Sequence, residues 1–327
     1  MSPCACGTMV RMSPSASATV YIVGAAGQLG TALRARRPTD FPGHDIRALT
    51  SADLDIGDEA SVRAALGDLA AGDVVINCAA YTDVDGAQSD EAGAYRVNAD
   101  GPAHLARATV AAGAWLIHVS TDYVFSGQVG GSETGPRSPA QPYEPDDVGE
   151  VIPATVYGAS KLAGERSALD TDPRTTVVRT AWVYTGGPDS RDFVGTMRRL
   201  EQTRETVSVV DDQVGSPTYA RDLADGLWEL AATGPTEAVA GAVLHGTNAG
   251  RASWYEVARA VFAQVGASPD RVHPCTTAEF PRPAPRPAFS VLSGASWAAA
   301  GLRPLREWRA ALDEAIGASE PASGSLP

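Results

Sequence analysis

A tyrosine and a lysine four residues apart are the residues of this sequence best suited to acid–base chemistry. They are Tyr157 and Lys161, in the segment Tyr-Gly-Ala-Ser-Lys. Because residues i and i+4 share one face of a helix, the lysine charge can lower the phenol pKa toward the working pH. Thr121 can donate a second hydrogen bond to the same substrate oxygen. The pattern predicts that a phenol protonates this oxygen. A surface turn with a solvated lysine is the ordinary alternative.

A glycine-rich turn follows the first strand-like run of the chain. The run Thr19 to Val23 is β-branched and aromatic, and Gly24, Gly27 and Gly30 come directly after it. Glycines there let the backbone approach a pyrophosphate, whose charge the amino end of the next helix stabilises. Alone, the pattern is equally typical of an ordinary strand-to-helix turn. The alternating elements that follow favour a dinucleotide site.

Strand-like and helical segments alternate through the first half of the chain. Strands are predicted at 46–49, 73–80, 115–119 and 175–179, and helices at 58–69 and 90–112. This alternation predicts an α/β fold with a Rossmann-like, doubly wound parallel sheet, in which ligands bind at the carboxyl ends of the strands. Further helices, predicted at 192–201, 222–232, 254–265 and 305–316, indicate a smaller C-terminal α/β substrate domain.

These segments divide the chain into four parts. We expect a disordered tail at 1–18, a dinucleotide-binding domain at 19–184, and a disordered tail at 319–327. Residues 185–318 are expected to form mainly the substrate-binding domain, with some segments returning to the first domain. The Pro- and Gly-rich loop 126–153 is expected to form a flap over the substrate.

Composition excludes several classes of protein. The 327 residues carry 26 Lys and Arg against 39 Asp and Glu, a formal net charge of −13 that disfavours nucleic acid and anionic lipid. We find no apolar run long enough to span a bilayer, so no membrane association is expected. The four cysteines suggest reduced thiols and neither a disulfide framework nor a zinc site. A cytoplasmic location and no bound metal are therefore expected.

The end of the second predicted strand bears on the choice of cofactor. A carboxylate there would accept the ribose 2′-hydroxyl of NADH and repel the extra phosphate of NADPH. The sequence at that point is Leu49-Thr50-Ser51, and the nearest acids, Asp53 and Asp55, come later and are expected nearer the adenine. NADPH is therefore the predicted cofactor, with NADH as an alternative.

Eight segments carry a family resemblance that runs from residue 19 to the region of Trp308. They begin at Gly24, Val75, Ser120, Val156, Arg179, Val209, Ser253 and Arg286. With these motifs the chain resembles the extended short-chain dehydrogenase/reductases, and among them the dTDP-4-dehydrorhamnose reductase family. The stretch Val-Asp-Asp-Gln-Val-Gly-Ser-Pro-Thr, which ends at Thr218, is the most particular to that family.

The resemblance implies roles for individual residues. Tyr157 would donate the proton, Lys161 would bind the nicotinamide ribose, and Trp182 would pack against the sugar, unless it is a core aromatic. Cofactor contacts, in addition to Tyr157 and Lys161, are expected from Gly24, Gly27, Gln28, Leu29, Asp55, Ile56, Ala79, Ala80, Tyr81, Thr82 and Asn98. Substrate contacts are expected from Thr121, Asp122, Tyr123, Trp182 and Arg286.

Two of these assignments have an equally ordinary alternative. Arg286 stands in a stiff Pro-rich segment and can bind a nucleotide diphosphate bidentately, or it can be a solvated loop charge. Asn98, like Asn77, can position backbone or water at the site, or be a satisfied turn or helix residue.

The resemblance also implies a reaction. A reductase of this family would transfer hydride from NADPH or NADH to the 4-keto group of dTDP-6-deoxy-L-lyxo-4-hexulose and give dTDP-L-rhamnose. Three alternatives remain: a 4-ketoreductase for another dTDP-deoxysugar, a sugar-nucleotide epimerase or dehydratase, and a non-catalytic NADP-binding subunit like the regulatory partner of methionine adenosyltransferase. Some relatives form dimers through a magnesium ion held by an acid in the first helix. Here that helix reads Thr31-Ala-Leu33, so a monomer or weak homodimer is expected.

Overall fold

The computed structural model describes residues 18–36, 45–127, 141–149 and 152–318. Residues 1–17 of the expected tail 1–18 and the whole expected tail 319–327 lie outside the described residues, as do 128–140 and 150–151 of the expected flap. The strands are β1 Thr19–Val23, β2 Asp45–Leu49, β3 Val74–Asn77, β4 Trp115–Thr121, β5 Thr176–Thr180, β6 Val183–Tyr184, β7 Val207–Val210, β8 Val214–Gly215, β9 Thr218–Tyr219, β10 Val243–His245, β11 Ala252–Ser253 and β12 Val272–Cys275.

The helices alternate with these strands along the chain. They are α1 Gln28–Ala35, α2 Glu59–Ala65, α3 Val84–Ala87, α4 Glu91–Tyr95, α5 Gly101–Ala112, α6 Val156–Thr171, α7 Phe193–Thr203, α8 Ala220–Thr233, α9 Trp254–Gln264, α10 Ala295–Ala299 and α11 Trp308–Gly317. A π-helical turn, Arg96–Asp100, joins α4 to α5, so the single helix predicted at 90–112 is divided. Short 3-10 turns lie at Asp122–Val124, Pro145–Val148, Pro269–Arg271 and Thr277–Glu279.

Six parallel strands form the central sheet in the order β10-β5-β4-β3-β1-β2. All residues of β3 and β5 are buried, as expected for parallel strands that helices cover on both faces. The predicted doubly wound sheet is therefore confirmed. Its strand order reverses between β1 and β3, where such sheets open a crevice at their carboxyl edge.

The second half of the chain builds a separate apolar cluster and also completes the central sheet. Tyr184, Phe262 and Trp308 belong to this second cluster, around which the paired strands β6–β9 and β7–β12 lie. Strand β10 and helix α8 return to the first half, where Trp228 Nε1 donates to the Leu33 carbonyl at 3.1 Å. The division of the chain at residue 184 stays a prediction. None of the described helices has the length and apolarity to cross a membrane.

Candidate active site

Helix α6 begins where it does because Thr155 caps it. The Thr155 hydroxyl accepts a hydrogen bond from Gly158 N at 2.9 Å, which places Tyr157 in the first turn and Lys161 one turn later. A side chain at Gly158 would place its Cβ 2.2 Å from the Tyr123 carbonyl oxygen. Glycine thus lets the amino end of α6 close on the turn that follows β4. The two segments predicted to carry chemistry are brought together.

Tyr157, Thr121 and Asp122 form a chain of hydrogen-bonding groups. The Thr121 hydroxyl donates to Asp122 Oδ1 at 3.0 Å and also bonds the Tyr157 hydroxyl. Burial raises the pKa of Tyr157 to about 12, and the bond with Thr121 partly opposes this effect. Tyr157 is therefore protonated at neutral pH.

Asp122 is the last group of this chain and is 2% exposed. Burial raises the pKa of its carboxyl to about 6, and hydrogen bonds from Ser290 and Thr121 hold it lower than burial alone would. Its Oδ2 has no hydrogen-bond partner among the described residues. Tyr123, next in the chain, meets the Tyr157 ring edge to face at 5.4 Å between centroids.

Lys161 is 2% exposed and points into the protein. Its Nζ donates to the Val119 carbonyl oxygen at 2.8 Å and lies 3.4 Å from His118 Nε2. Burial lowers the pKa of Lys161 to about 8. Lys161 Nζ is thus directed at Val119 and His118, and burial raises the pKa of Tyr157. The prediction that the lysine lowers the phenol pKa is therefore wrong in this structure, because burial outweighs any such effect.

The glycine turn has the shape that a dinucleotide requires. Gly24 has a positive φ of 79°, and a Cβ there would lie 2.6 Å from Ala79 N, so only glycine fits between β1 and the exit of β3. Gly27 is the N-cap of α1, so no N-cap side chain bonds the first amide groups of this helix. Amide groups of Gln28 and Leu29 in the first turn are thus suited to an anion. The Gln28 side chain donates to Asp192 Oδ2 at 3.1 Å instead.

The segment after β3, residues 79–82, is held by Asn98. Asn98 Oδ1 accepts from Tyr81 N at 2.8 Å, while its Nδ2 donates to the Tyr81 carbonyl and to Ser160 Oγ, both at 3.0 Å. Asn98 thereby ties the predicted nicotinamide side, which includes Ala79, Ala80 and Thr82, to helix α6. Its role in the structure is to position backbone.

Asp53 is bonded to the residue that follows β2. Asp53 Oδ2 accepts hydrogen bonds from Thr50 N at 2.9 Å and Thr50 Oγ1 at 2.7 Å. These bonds lower the pKa of Asp53, which is exposed, so it is anionic. The turn folds the Asp53 carboxylate back onto Thr50 at the end of β2, and its expected position nearer the adenine stays a prediction.

Asp55 and Ile56, expected at the adenine, point in different directions. Asp55 pairs with Arg96 at 2.8 Å, an interaction that lowers the pKa of its carboxyl. The Ile56 side chain is 3% exposed and belongs to the core between the sheet and α5. Its carbonyl faces His104 Nδ1 at 2.8 Å. Contact of Ile56 with an adenine would therefore come from its backbone, and it stays a prediction.

Trp182 follows β5 in a strained conformation. Its φ is 49°, which is unfavourable for a bulky residue. The indole stacks on Trp254, with 3.5 Å between ring centroids and 7° between planes, and a Cβ at Gly215 would lie 2.4 Å from it. Strain of this kind often marks functional sites. Trp182 is only partly buried, and its contact with a sugar stays a prediction.

Arg286 is paired inside the protein. Its two terminal nitrogens bond Asp85 Oδ1 at 2.9 Å and Oδ2 at 2.7 Å, and one of them also reaches the Ala284 carbonyl at 2.8 Å. The guanidinium thus connects the Pro-rich segment to α3. Asp85 therefore occupies part of the donor set of Arg286, and the predicted substrate contact of Arg286 stays a prediction.

The sequence did not reveal several residues that complete the site. His118, Ser290 and Asp85 each contact a predicted residue from a distant part of the chain, and Trp254 covers Trp182. The signals available for Trp254 and Ser290 were their places in two family-like segments. For the ion pair of Asp85 with Arg286, 201 residues apart, no local pattern exists.

Comparisons with known proteins agree over nearly the whole chain. A family model described as RmlD substrate binding domain matches residues 18–320. The dTDP-4-dehydrorhamnose reductase of Mycobacterium tuberculosis is 56% identical over 302 residues, which cover 92% of this chain and 93% of that protein. The crystal structure of dTDP-4-dehydrorhamnose reductase from Bacillus anthracis in complex with NADP is 33% identical, with a TM-score of 0.78, and the match covers 92% of this chain and 99% of that one. A Streptomyces antibioticus protein described as a probable dTDP-4,6-dihydroxy-2-methyloxan-3-one 4-ketoreductase is 44% identical, over 90% of this chain and 93% of its own.

Proposed function

The chain belongs to the RmlD family of dTDP-4-dehydrorhamnose reductases, and from that premise we propose that Tyr157 is the acid of its reaction. The protein is an NADPH-dependent oxidoreductase that reduces the 4-keto group of dTDP-6-deoxy-L-lyxo-4-hexulose to give dTDP-L-rhamnose. The observation that carries the residue assignment is the hydrogen-bonded chain from Tyr157 through Thr121 to Asp122.

Tyr157 is suited to act as an acid and not as a base. Burial raises its pKa to about 12, so the phenol holds its proton at neutral pH. An alkoxide that forms at the substrate carbon is a much stronger base than a phenolate, and it takes this proton readily. The Tyr157 hydroxyl thus donates its proton to the substrate oxygen. Charge on that oxygen forms among buried groups, where hydrogen bonds stabilise it strongly.

The bound nicotinamide supplies the hydride. The turn at Gly24 and the amino end of α1 would hold its pyrophosphate, and the segment Ala79 to Thr82, which Asn98 holds in place, would line the nicotinamide. Lys161 contacts the nicotinamide ribose. NADH can replace NADPH. The negative charge of Asp53 affects how well it does so.

The substrate side is formed by residues at the carboxyl ends of β4 and β5. Thr121, Asp122 and Tyr123 bind the sugar, and Trp182, supported by Trp254, covers its apolar face. Arg286, held by Asp85, contacts the nucleotide diphosphate through its other N–H groups. The protein acts in the cytoplasm as a monomer or weak homodimer, and its partner is the small dTDP-sugar.

A 4-ketoreductase for another dTDP-deoxysugar is the second candidate. The 44% identical relative from Streptomyces antibioticus supports it, because a protein with a related description matches most of this chain. The two candidates share the acid and the cofactor and differ in the sugar that they accept.

Product analysis tests the assignment. Purified protein is mixed with NADPH and enzymatically prepared dTDP-6-deoxy-L-lyxo-4-hexulose, and the product is identified by NMR. dTDP-L-rhamnose formed faster than the product from any other dTDP-4-ketosugar supports the assignment. Faster turnover of another ketosugar selects the second candidate. NADPH binding without oxidation of any ketosugar would point to a non-catalytic binding subunit.

A further inference from the structure

A fully buried histidine contacts the proposed catalytic lysine from the strand beside it. His118 on β4 is 0% exposed, and its Nε2 lies 3.4 Å from Lys161 Nζ. On the other side of the ring, Nδ1 lies 3.0 Å from Asn77 Nδ2 at the end of β3. Asn77 is also 0% exposed. The three side chains form one hydrogen-bonded row below the site.

The backbone fixes the orientation of the Asn77 amide. Asn77 Oδ1 accepts a hydrogen bond from Ala79 N at 3.0 Å, so the NH2 group must be the part that faces His118. An amide NH2 group can only donate. His118 Nδ1 must therefore accept, and its lone pair is used for this bond. Burial lowers the pKa of His118 well below its usual value, so the ring is neutral and carries its one proton on Nε2.

The Nε2–H group of His118 then faces the lysine nitrogen. A charged ammonium group has three donors and no acceptor, so a donor meets a donor across this contact. A neutral amine has a lone pair and can accept from Nε2–H, while it donates to the Val119 carbonyl at 2.8 Å. The row therefore stabilises the neutral form of Lys161 relative to the charged form.

We propose, on the basis of the function assigned to Lys161 above, that Asn77 and His118 are positioning residues that set the protonation equilibrium of this lysine. Asn77 selects the tautomer of His118, and the tautomer decides whether the ring donates to Nζ or accepts from it. The lysine can then change its charge near neutral pH, where a lysine in water would stay charged.

Other titratable groups also face Lys161. Cys78 follows β3, and Glu165 and Tyr157 lie on the same helix as the lysine. Burial lowers the pKa of Lys161 to about 8, and the charge of Glu165 opposes that change. Burial raises the pKa of the Cys78 thiol to about 12, so this group is neutral. The contact with His118 acts in the same direction as burial.

The tautomer of His118 can be measured without turnover. Two-dimensional ¹⁵N–¹H NMR of the ¹⁵N-labelled protein at pH 7 distinguishes Nε2–H from Nδ1–H, and the loss of one signal set in His118→Gln assigns the residue. We expect a neutral ring with the proton on Nε2. A proton on Nδ1 would overturn the proposal, whether or not the protein reduces a dTDP-sugar.

Asn77→Asp reverses the tautomer and tests the consequence. A carboxylate at 77 can still accept from Ala79 N and also accepts from His118 Nδ1–H, which leaves the Nε2 lone pair for a charged lysine. We expect the NMR spectrum of this variant to show the proton of His118 on Nδ1. We also expect the alkaline limb of its kcat/KM profile to move to a pH about 1 unit higher. An unmoved limb in a variant that shows Nδ1–H would contradict the coupling.

The double variant Asn77→Asp/His118→Gln separates the tautomer from the added charge. If His118 carries the effect, Asn77→Asp shifts the alkaline limb in the wild-type background and not in the His118→Gln background. An equal shift in both backgrounds would mean that the carboxylate acts by its charge, and would refute the role of the histidine. If thermal unfolding shows that Asn77→Asp does not fold, the tautomer of His118 in the wild-type protein alone tests the proposal.

Discussion

Burial determines the protonation of the residues around Tyr157. It raises the pKa of Tyr157 and Asp122 and lowers that of Lys161 and His118, so each group moves toward its neutral form. A site with few charges of its own gives strong hydrogen bonds to a charge that forms on the substrate. This explains why a phenol with a high pKa can serve as the acid.

Asp53 is expected to affect the choice between NADH and NADPH. Its carboxylate lies at the end of β2, where the adenosine ribose binds in doubly wound sheets, and it repels a 2′-phosphate. Replacing Asp53 with Asn should raise the affinity for NADP⁺ relative to NAD⁺ by a few-fold, because an exposed charge in water acts weakly. Calorimetric titration with the two oxidised cofactors measures the ratio.

Asp45→Asn is the matched control for this prediction. Asp45 is an exposed acid at the opposite, amino end of the same strand. Its removal changes the net charge equally and should leave the ratio unchanged. If both variants shift the ratio alike, only net charge is involved and Asp53 has no specific role.

Single residues of the site could be predicted from the sequence only where a local pattern exists. The spacing of Tyr157 and Lys161 on one helix is local, and so is the place of Thr121 after a strand. The direction of the lysine is not local, because His118 and Val119 come from a strand 42 or 43 residues earlier. The pKa shift of Tyr157 was predicted with the wrong sign because it follows from burial, which the spacing of two residues does not reveal.

The amino end of α6 is the element on which the chemistry depends. Its position follows from the cap at Thr155 and from the close approach of Gly158 to the turn that carries Tyr123. The sequence predicted that a helix opens at this point. It could not predict the contact that Gly158 permits, because the Tyr123 carbonyl belongs to another segment.

Gly158→Ala should displace the helix start and slow the reaction. The added Cβ would lie 2.2 Å from the Tyr123 carbonyl oxygen, which is backbone and cannot move aside cheaply. We expect kcat to fall on the order of 100-fold, since a displacement of about 1 Å has effects of that size, and the thermal midpoint to fall as well. Steady-state assays and thermal unfolding measure the two effects.

Gly187→Ala controls for the loss of a glycine. Among the described residues, no atom outside the two chain neighbours lies within 4 Å of a Cβ at that position. The variant should keep the wild-type kcat and thermal midpoint. A Gly158→Ala enzyme that is equally unaffected would show that close packing at α6 does not position Tyr157.

At the scale of the whole molecule, a buried ion pair joins three distant segments. Arg179 on β5 bonds Glu165 on α6 at 2.7 Å and the Pro145 carbonyl at 2.9 Å, with side chains that are 3% and 2% exposed. It thus connects the central sheet, the catalytic helix and the segment 141–149. The sequence predicted the strand and the helix, but nothing local indicated that their charges meet.

Removing one partner of this pair should destabilise the fold strongly. Arg179→Met leaves Glu165 buried and unpaired, and we expect the free energy of unfolding to fall by about 3–5 kcal/mol. Arg107→Met, which breaks the exposed pair with Glu59, should cost about 1 kcal/mol or less. Urea denaturation measures both. The double variant Arg179→Met/Glu165→Met should recover part of the stability that Arg179→Met loses. Equal losses of stability in Arg179→Met and Arg107→Met would contradict the account.

The most direct test of the whole account compares Tyr157→Phe with the wild type. The loss of NADPH absorbance is followed with dTDP-6-deoxy-L-lyxo-4-hexulose, and the Kd for NADPH is measured separately for each protein. We predict a Kd unchanged within a factor of about two and a turnover lower by about 100-fold to 10,000-fold, the range for a lost general acid. A Tyr157→Phe enzyme that oxidises NADPH at the wild-type rate would contradict the assignment of the acid.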